Sequence, residues 1–201
     1  MLRFARNDKL RATIHKMKRN VQKWVGNVLI AISVLGLFAI YYPVLKEFFF
    51  PPHFTEAQKK SIGFSIEIPS IKVFSPVIAN VDPFNQQEYI EKLKNGVAQA
   101  KGTSLPGQKG TMYLFAHSSD VPWRITRYNT AFFRLDFVKS GNIIIVRKDG
   151  KEYKYKVYDK KTVWPNDVKY LKENQGNILI LQTCTPVGTS LQRLLVFAKP
   201  I

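Results

Sequence analysis

One cysteine in 201 residues excludes an internal disulfide framework. Three histidines, His15, His53 and His117, stand far apart and have only that thiol to join them, so a structural zinc site is not expected, nor any other metal or cofactor. Acids are scarce: 14 against 31 Lys and Arg, for a formal charge of +17. That balance suggests an anionic partner, and where the charge sits decides whether nucleic acid is a candidate. Internal repeats and low-complexity tracts are missing. A composition 45% hydrophobic and 13% aromatic belongs to a folded chain rather than a disordered one. The length suits one ordinary domain plus an appendage.

Charge is absent from Trp24 to Leu45, 22 residues with the core VLIAISVLGLFAI. As a helix this run spans roughly 33 Å, against a hydrocarbon core about 30 Å thick. Trp24, Tyr41 and Tyr42 fall near its ends, where amphipathic rings favour the membrane interface. A buried soluble helix rarely runs so long uncharged. A cleaved signal peptide has a shorter apolar core and small residues at its exit, whereas this exit reads YYPVLKEFFFPP. Residues 24–45 therefore read as a transmembrane signal anchor. Residues 1–23 carry eight basic residues and one acid, a net +7 that leaves +10 for the rest. The positive-inside rule sets this basic tail in the cytoplasm and the remainder outside, as a single-pass protein of the cell membrane. Much of the charge is thus a topology signal, and no nucleic-acid partner is expected.

A juxtamembrane linker, 46–61, leads into a working domain, 62–201. SIEIPSIKV alternates apolar and polar positions, and PVIANV follows with a second short apolar run. VDPF reads as a turn into a helix: Asn85 offers an N-cap with Glu88 three residues on, and Ile90, Leu93 and Val97 repeat at helical spacing. TMYLFA, NIIIVRK, KEYKYKVYD, NILILQT and RLLVFAK supply further strands, with Asp149-Gly150 as a two-residue hairpin joining NIIIVRK to KEYKYKVYD. Tyr153, Tyr155 and Val157 mark one face. Short strands with few helices point to a mostly β, closed or nearly closed barrel.

Cys184 has no partner for a disulfide and is either buried filler or a thiol kept for its reactivity. It ends the strand ILILQT, with Thr185, Pro186 and Gly188 breaking the strand behind it. Rigid strand ends beside loops are where catalytic groups are presented. A free thiol is only a few per cent thiolate at neutral pH, so nucleophilic work needs a basic or positive neighbour. His117 is the one histidine of the working domain; it too follows a strand, TMYLFA, and precedes the polar Ser118, Ser119 and Asp120. Arg193 opens the next strand, nine residues after Cys184. If those two strands pair as antiparallel neighbours, the guanidinium comes close to the sulfur, where its fixed charge suits a developing oxyanion.

These residues resemble the sortases, membrane-anchored cysteine transpeptidases of bacterial cell envelopes. The likeness covers about 135 residues, from IPSIKVFSPVI through GTSLPGQKGTMYLFAHSSD to LILQTCTPVGTSLQRLLVFAKP. The last segment is similar to the family's T-L-x-T-C followed by an arginine eight to ten residues later, and LFAHSS is similar to its histidine loop. Ile180 stands where the family usually has threonine, and Ala116 where it commonly has glycine. The resemblance implies a closed barrel of about eight strands with one or two short helices. It implies Cys184 as nucleophile on an LPxTG-like sorting signal, His117 as the acid and base for the leaving and incoming amines, and Arg193 as the oxyanion and substrate partner. Thr183 would help hold the substrate. The partners implied are secreted proteins bearing that signal and an amine acceptor from a peptidoglycan precursor or a pilin.

Two rivals remain in view. The Gly-Cys-x-Arg arrangement of L,D-transpeptidases is missing, because Thr183 precedes Cys184 and Pro186 lies two beyond it. A non-catalytic envelope-binding barrel would present aromatics such as Trp123, Tyr128 and Trp164 to a polymer.

Overall fold

A computed structural model describes residues 2–50, 54–118, 131–172, 175–187 and 189–201. The chain forms two compact units, 1–43 and 44–201. A long helix, α1 (Leu2–Phe49), contains the stretch Met17–Tyr42, which holds an 18-residue run of mean hydropathy 2.0, none of it buried. Leu29, Ile30, Leu35 and Phe38 are all exposed on it. An apolar surface all round a helix has no stable place in water, and by length and composition this one can cross a membrane.

In the second unit, α2 (Glu56–Ser61) starts from a capping box in which the Thr55 side chain accepts from Gln58 N–H and Gln58 answers the Thr55 N–H. Eight strands follow: β1 (Phe64–Ile68), β2 (Val73–Val81), β3 (Val97–Ala100), β4 (Thr111–Phe115), β5 (Ile143–Lys148), β6 (Lys151–Val163), β7 (Ile178–Thr185) and β8 (Gln192–Pro200). They close into a barrel in the order β1-β2-β3-β4-β7-β8-β6-β5, with β2–β3 and β4–β7 parallel and the other pairs antiparallel. Two further short helices, α3 (Gln86–Leu93) and α4 (Lys169–Lys172), lie among the described residues. The mostly β, closed, eight-stranded architecture is the one expected. Ile66, Leu114, Ile144, Leu179, Leu181 and Val196 fill its core with 0% exposure, each contributing about 1.5–3 kcal/mol of burial.

Local chemistry explains the boundaries. SIEIPSIKV is two strands rather than one, because Pro69 lacks an N–H for the ladder and a 3₁₀ turn over Pro69–Ile71 ends with Lys72 at φ 54. The helix expected after VDPF is α3, capped by Asn85 accepting from Glu88 N–H at 3.2 Å. It stops at Leu93, so Val97 belongs to β3 and not to a helical face. Gly96 makes that switch: its φ is +154, and a Cβ there would lie 2.4 Å from Pro76 O. Asp149 and Gly150, both at positive φ, form the hairpin between β5 and β6.

Glu67 on β1 gathers an ionic cluster that ties α2 to the barrel. Its carboxylate accepts from Lys59 Nζ and from Arg147 Nη1, both at 2.6 Å, and Arg147 also meets Glu152 at 3.0 Å. Burial pushes the Glu67 carboxyl up, but the hydrogen bonds from Lys59 and Arg147 outweigh it and hold it below the ordinary carboxylate range.

Candidate active site

The neighbouring strands β4, β7 and β8 carry the residues that the sequence singled out. β7 and β8 are antiparallel neighbours, and their register sets Cys184 directly opposite Arg193. Opposed residues share a face, with Cβ atoms about 4.5–5.5 Å apart. β4 and β7 run parallel, from Thr111 opposite Ile178 to Phe115 opposite Gln182. The pairing continues past β4, since the Ala116 N–H donates to Gln182 O at 3.1 Å. One further step along this register brings His117 level with Cys184.

The face on which they lie follows from the helices. Tyr89 of α3 packs edge-on against Phe115, and Tyr170 of α4 against Phe197. Helices cannot occupy the inside of a filled barrel, so Phe115, its partner Gln182 and Phe197 face outward. Cys184 and Arg193 share that outward parity with Gln182 and Phe197. His117, Cys184 and Arg193 are each half-buried, which leaves a route for a ligand. Among the described residues, the guanidinium bonds use Nη1 alone, donating to Ser190 O at 3.0 Å and Gln192 O at 3.2 Å. These two bonds hold the arginine against its own loop while its remaining donors stay available.

Thr183 has the opposite parity. It is 3% exposed, and its hydroxyl donates to Ala116 O at 3.1 Å. The bond clamps the residue before His117 to the residue before Cys184, across 67 positions of sequence.

Two polar side chains on the outward face escaped the sequence reading. The Tyr113 hydroxyl donates to Gln182 Oε1 at 2.5 Å. Burial pushes that hydroxyl well above its ordinary range, against the pull of the Arg193 guanidinium, so it remains a neutral donor. The available signal was Gln182 itself, a polar residue inside ILILQT at the same parity as Cys184. Ser119, Asp120, Trp123 and Tyr128 lie outside the described residues. Trp164 is 64% exposed just beyond β6, next to Val163, which pairs with Arg193. Among the described residues no group of three or more His, Cys, Asp or Glu is placed to hold a metal ion.

A half-buried thiol opposite a guanidinium and level with an imidazole is an arrangement suited to acyl transfer. Comparison with known proteins points the same way. The family model of the sortase domain matches residues 66–201. Among solved structures, the chain is similar to a lid mutant of sortase A from Corynebacterium diphtheriae, at 28% identity over 70% of each chain and a TM-score of 0.56. It is also similar to sortase C-1 from Actinomyces oris, at 30% identity over 69% of this chain and 72% of that one, TM-score 0.56. Sortase C from Clostridium perfringens SM101 aligns at 29% identity over 68% of each chain, TM-score 0.54. Among curated proteins nothing matches.

Proposed function

Because this chain belongs to the sortase family, we propose that it is a membrane-anchored cysteine transpeptidase with Cys184 as nucleophile, His117 as acid and base, and Arg193 as oxyanion partner. The observation that carries this reading is the register of three adjacent strands, which aligns Cys184 with Arg193 and leads to His117 at the same level. In the first half-reaction His117 takes the proton of the Cys184 thiol, and the sulfur attacks the carbonyl carbon of an LPxTG-like sorting signal, after its threonine or an equivalent residue. Negative charge builds on the carbonyl oxygen, where the fixed charge of Arg193 stabilises it. His117 protonates the leaving amine, the C–N bond breaks, and a thioester on Cys184 remains. In the second half-reaction His117 takes a proton from the incoming amine, that amine attacks the thioester, and the sulfur leaves.

The turned-in, hydrogen-bonded hydroxyl of Thr183 supports a positioning role rather than direct contact with substrate. The proposed acceptor is an amine of a peptidoglycan precursor or a pilin. The segment 24–45 serves as an uncleaved anchor, with the tail 1–23 in the cytoplasm, the linker 46–61 and the catalytic domain 62–201 outside. Both substrates would then be met at the outer membrane surface.

The test is intact mass spectrometry of the full chain in detergent micelles, incubated with LPxTG-like peptides varied at each position and with small amines. A thioacyl adduct that is lost in Cys184→Ala, together with an amine-linked product, is the expected outcome. A folded chain whose thiol alkylates readily but yields neither adduct nor product across the whole peptide set would sink the proposal.

A further inference from the structure

Lys156 and Lys199 stand directly opposite each other across the β6–β8 pair. Both are exposed, and among the described residues neither has an ion-pair partner. Like charges so placed destabilise a sheet. The acids nearby do not relieve them: Asp159 meets Lys161 at 3.5 Å, Asp136 meets Lys160 at 3.0 Å, and Glu152 meets Lys154 at 3.5 Å. Lys154 lies two residues before Lys156 on the same face, a repeat of about 6.6 Å along a strand. The Lys199 ammonium stands 4.8 Å from the centroid of the exposed Tyr158 ring.

This row runs toward a cavity of about 410 Å³ lined in part by Lys154, Lys109, Gln108, Asn177, Tyr153 and Glu152. Asn177 precedes β7 and Pro200, also at its wall, ends β8, so the cavity lies at the end of these strands remote from Cys184 and Arg193. The ammonium groups of Lys109 and Lys154, two amides and the phenols of Tyr153 and Tyr155 give this lining hydrogen-bond donors that a phosphate end can use, beside the Glu152 carboxylate and Ile201.

We propose that this face binds a linear phosphodiester polymer. Lys156 and Lys199 converge on one phosphate and Lys154 takes the next, with Tyr158 against the carbon linker and the cavity receiving a chain end. The opposed lysines are then neutralised by the ligand, which accounts for a like-charge pair that the fold alone does not explain. A single row, one strand pair wide and ending in a cavity, fits a strand-like ligand better than a flat bilayer surface. The inference is independent of the transpeptidase reading.

The experiment measures fluorescence anisotropy of a labelled poly(glycerol phosphate) oligomer with the full chain in zwitterionic micelles, over a series of salt concentrations. The double variant Lys156→Gln, Lys199→Gln should bind at least tenfold more weakly. Its slope of log Kd against log salt should flatten by about 0.7, the value for one phosphate contact on a flexible polyanion. Without ligand its Tm should equal or exceed the parent's, because a repulsion has been removed; the Lys156→Arg, Lys199→Arg pair should retain binding. Lys92→Gln with Lys101→Gln, an equal charge loss at exposed positions elsewhere, is the control. The proposal is overturned if that control weakens binding as much, if the first double variant binds like the parent, or if phosphatidylglycerol mixed into the micelles competes at equal phosphate concentration, which would assign the face to lipid headgroups.

Discussion

Thr183→Val is the most informative single change, because it keeps the side chain's shape and removes only its hydroxyl. In the native chain that hydroxyl, 3% exposed, donates to Ala116 O at 3.1 Å. Losing a hydrogen bond of this kind costs about 0.5–1.5 kcal/mol, and leaving a buried carbonyl without its donor adds to that. The extra methyl offsets part of the loss by burial. A net destabilisation of about 1–2 kcal/mol should lower Tm by about 2–8 °C for a domain of this size. The effect on chemistry should be larger than the effect on stability. Past the end of β4, this bond and Ala116 N–H to Gln182 O at 3.1 Å tie the histidine strand to the cysteine strand. Displacing reacting groups by about 1 Å can cost about a hundredfold in rate, so kcat should fall about 10- to 100-fold with KM little changed. Thr183→Ser should restore both. Steady-state transpeptidation beside thermal denaturation checks this. A variant with lowered Tm and normal kcat would refute the clamp, and a raised KM at unchanged kcat would return Thr183 to direct substrate contact.

Other outcomes follow from the same geometry. Arg193→Lys should lose about 10²–10³ in kcat, because an ammonium cannot keep its bonds to Ser190 O and Gln192 O and also face an oxyanion opposite Cys184; single-turnover acylation kinetics read this directly. Gly96→Ala should destabilise the chain by about 2 kcal/mol or more in a denaturant titration, since its Cβ would fall 2.4 Å from Pro76 O. Glu67, held below its ordinary value of 4.5 in the fold, contributes stability that is fully present above pH 4.5 and is lost as pH falls through the lowered value; Tm measured against pH should show this loss, and Glu67→Gln should remove that component. Cys184 is the single cysteine and half-buried, so a membrane-impermeant maleimide applied to intact cells should label it if the domain is outside; labelling only after lysis would reverse the assigned topology.

Much of this architecture could be read before any coordinates, for identifiable reasons. Strand ends beside Cys184 and His117 were legible because apolar runs stop abruptly at polar or turn-forming residues. The hairpin at Asp149-Gly150 was legible because positive φ at two successive residues is tolerated by few others. β3 was missed because VAQA carries no alternation: all four of its residues are buried, and burial on both faces erases the period of two. The run after Asn85 misled in the same region, since Val97 falls at helical spacing from Leu93, whereas the helix ends at Leu93 and Gly96, at positive φ, turns the chain into β3. At the site, the antiparallel Cys184 and Arg193 pairing could be stated from a nine-residue interval. The inward turn of Thr183 could not, because it depends on β4 arriving in parallel register from far away in sequence.

That distant pairing also fixes when reactivity arises. Cys184 and Arg193 belong to one hairpin and can meet early, whereas the histidine strand must be brought across an interval of 67 residues that contains β5 and β6. Contacts of such high separation form late, once most of the chain entropy has already been lost. An unfolded or half-folded chain therefore carries a lone thiol without its imidazole. If Cys184 and His117 act together as proposed, their pairing exists only once the barrel has closed, so transpeptidation is a property of the finished fold and not of the newly made polypeptide.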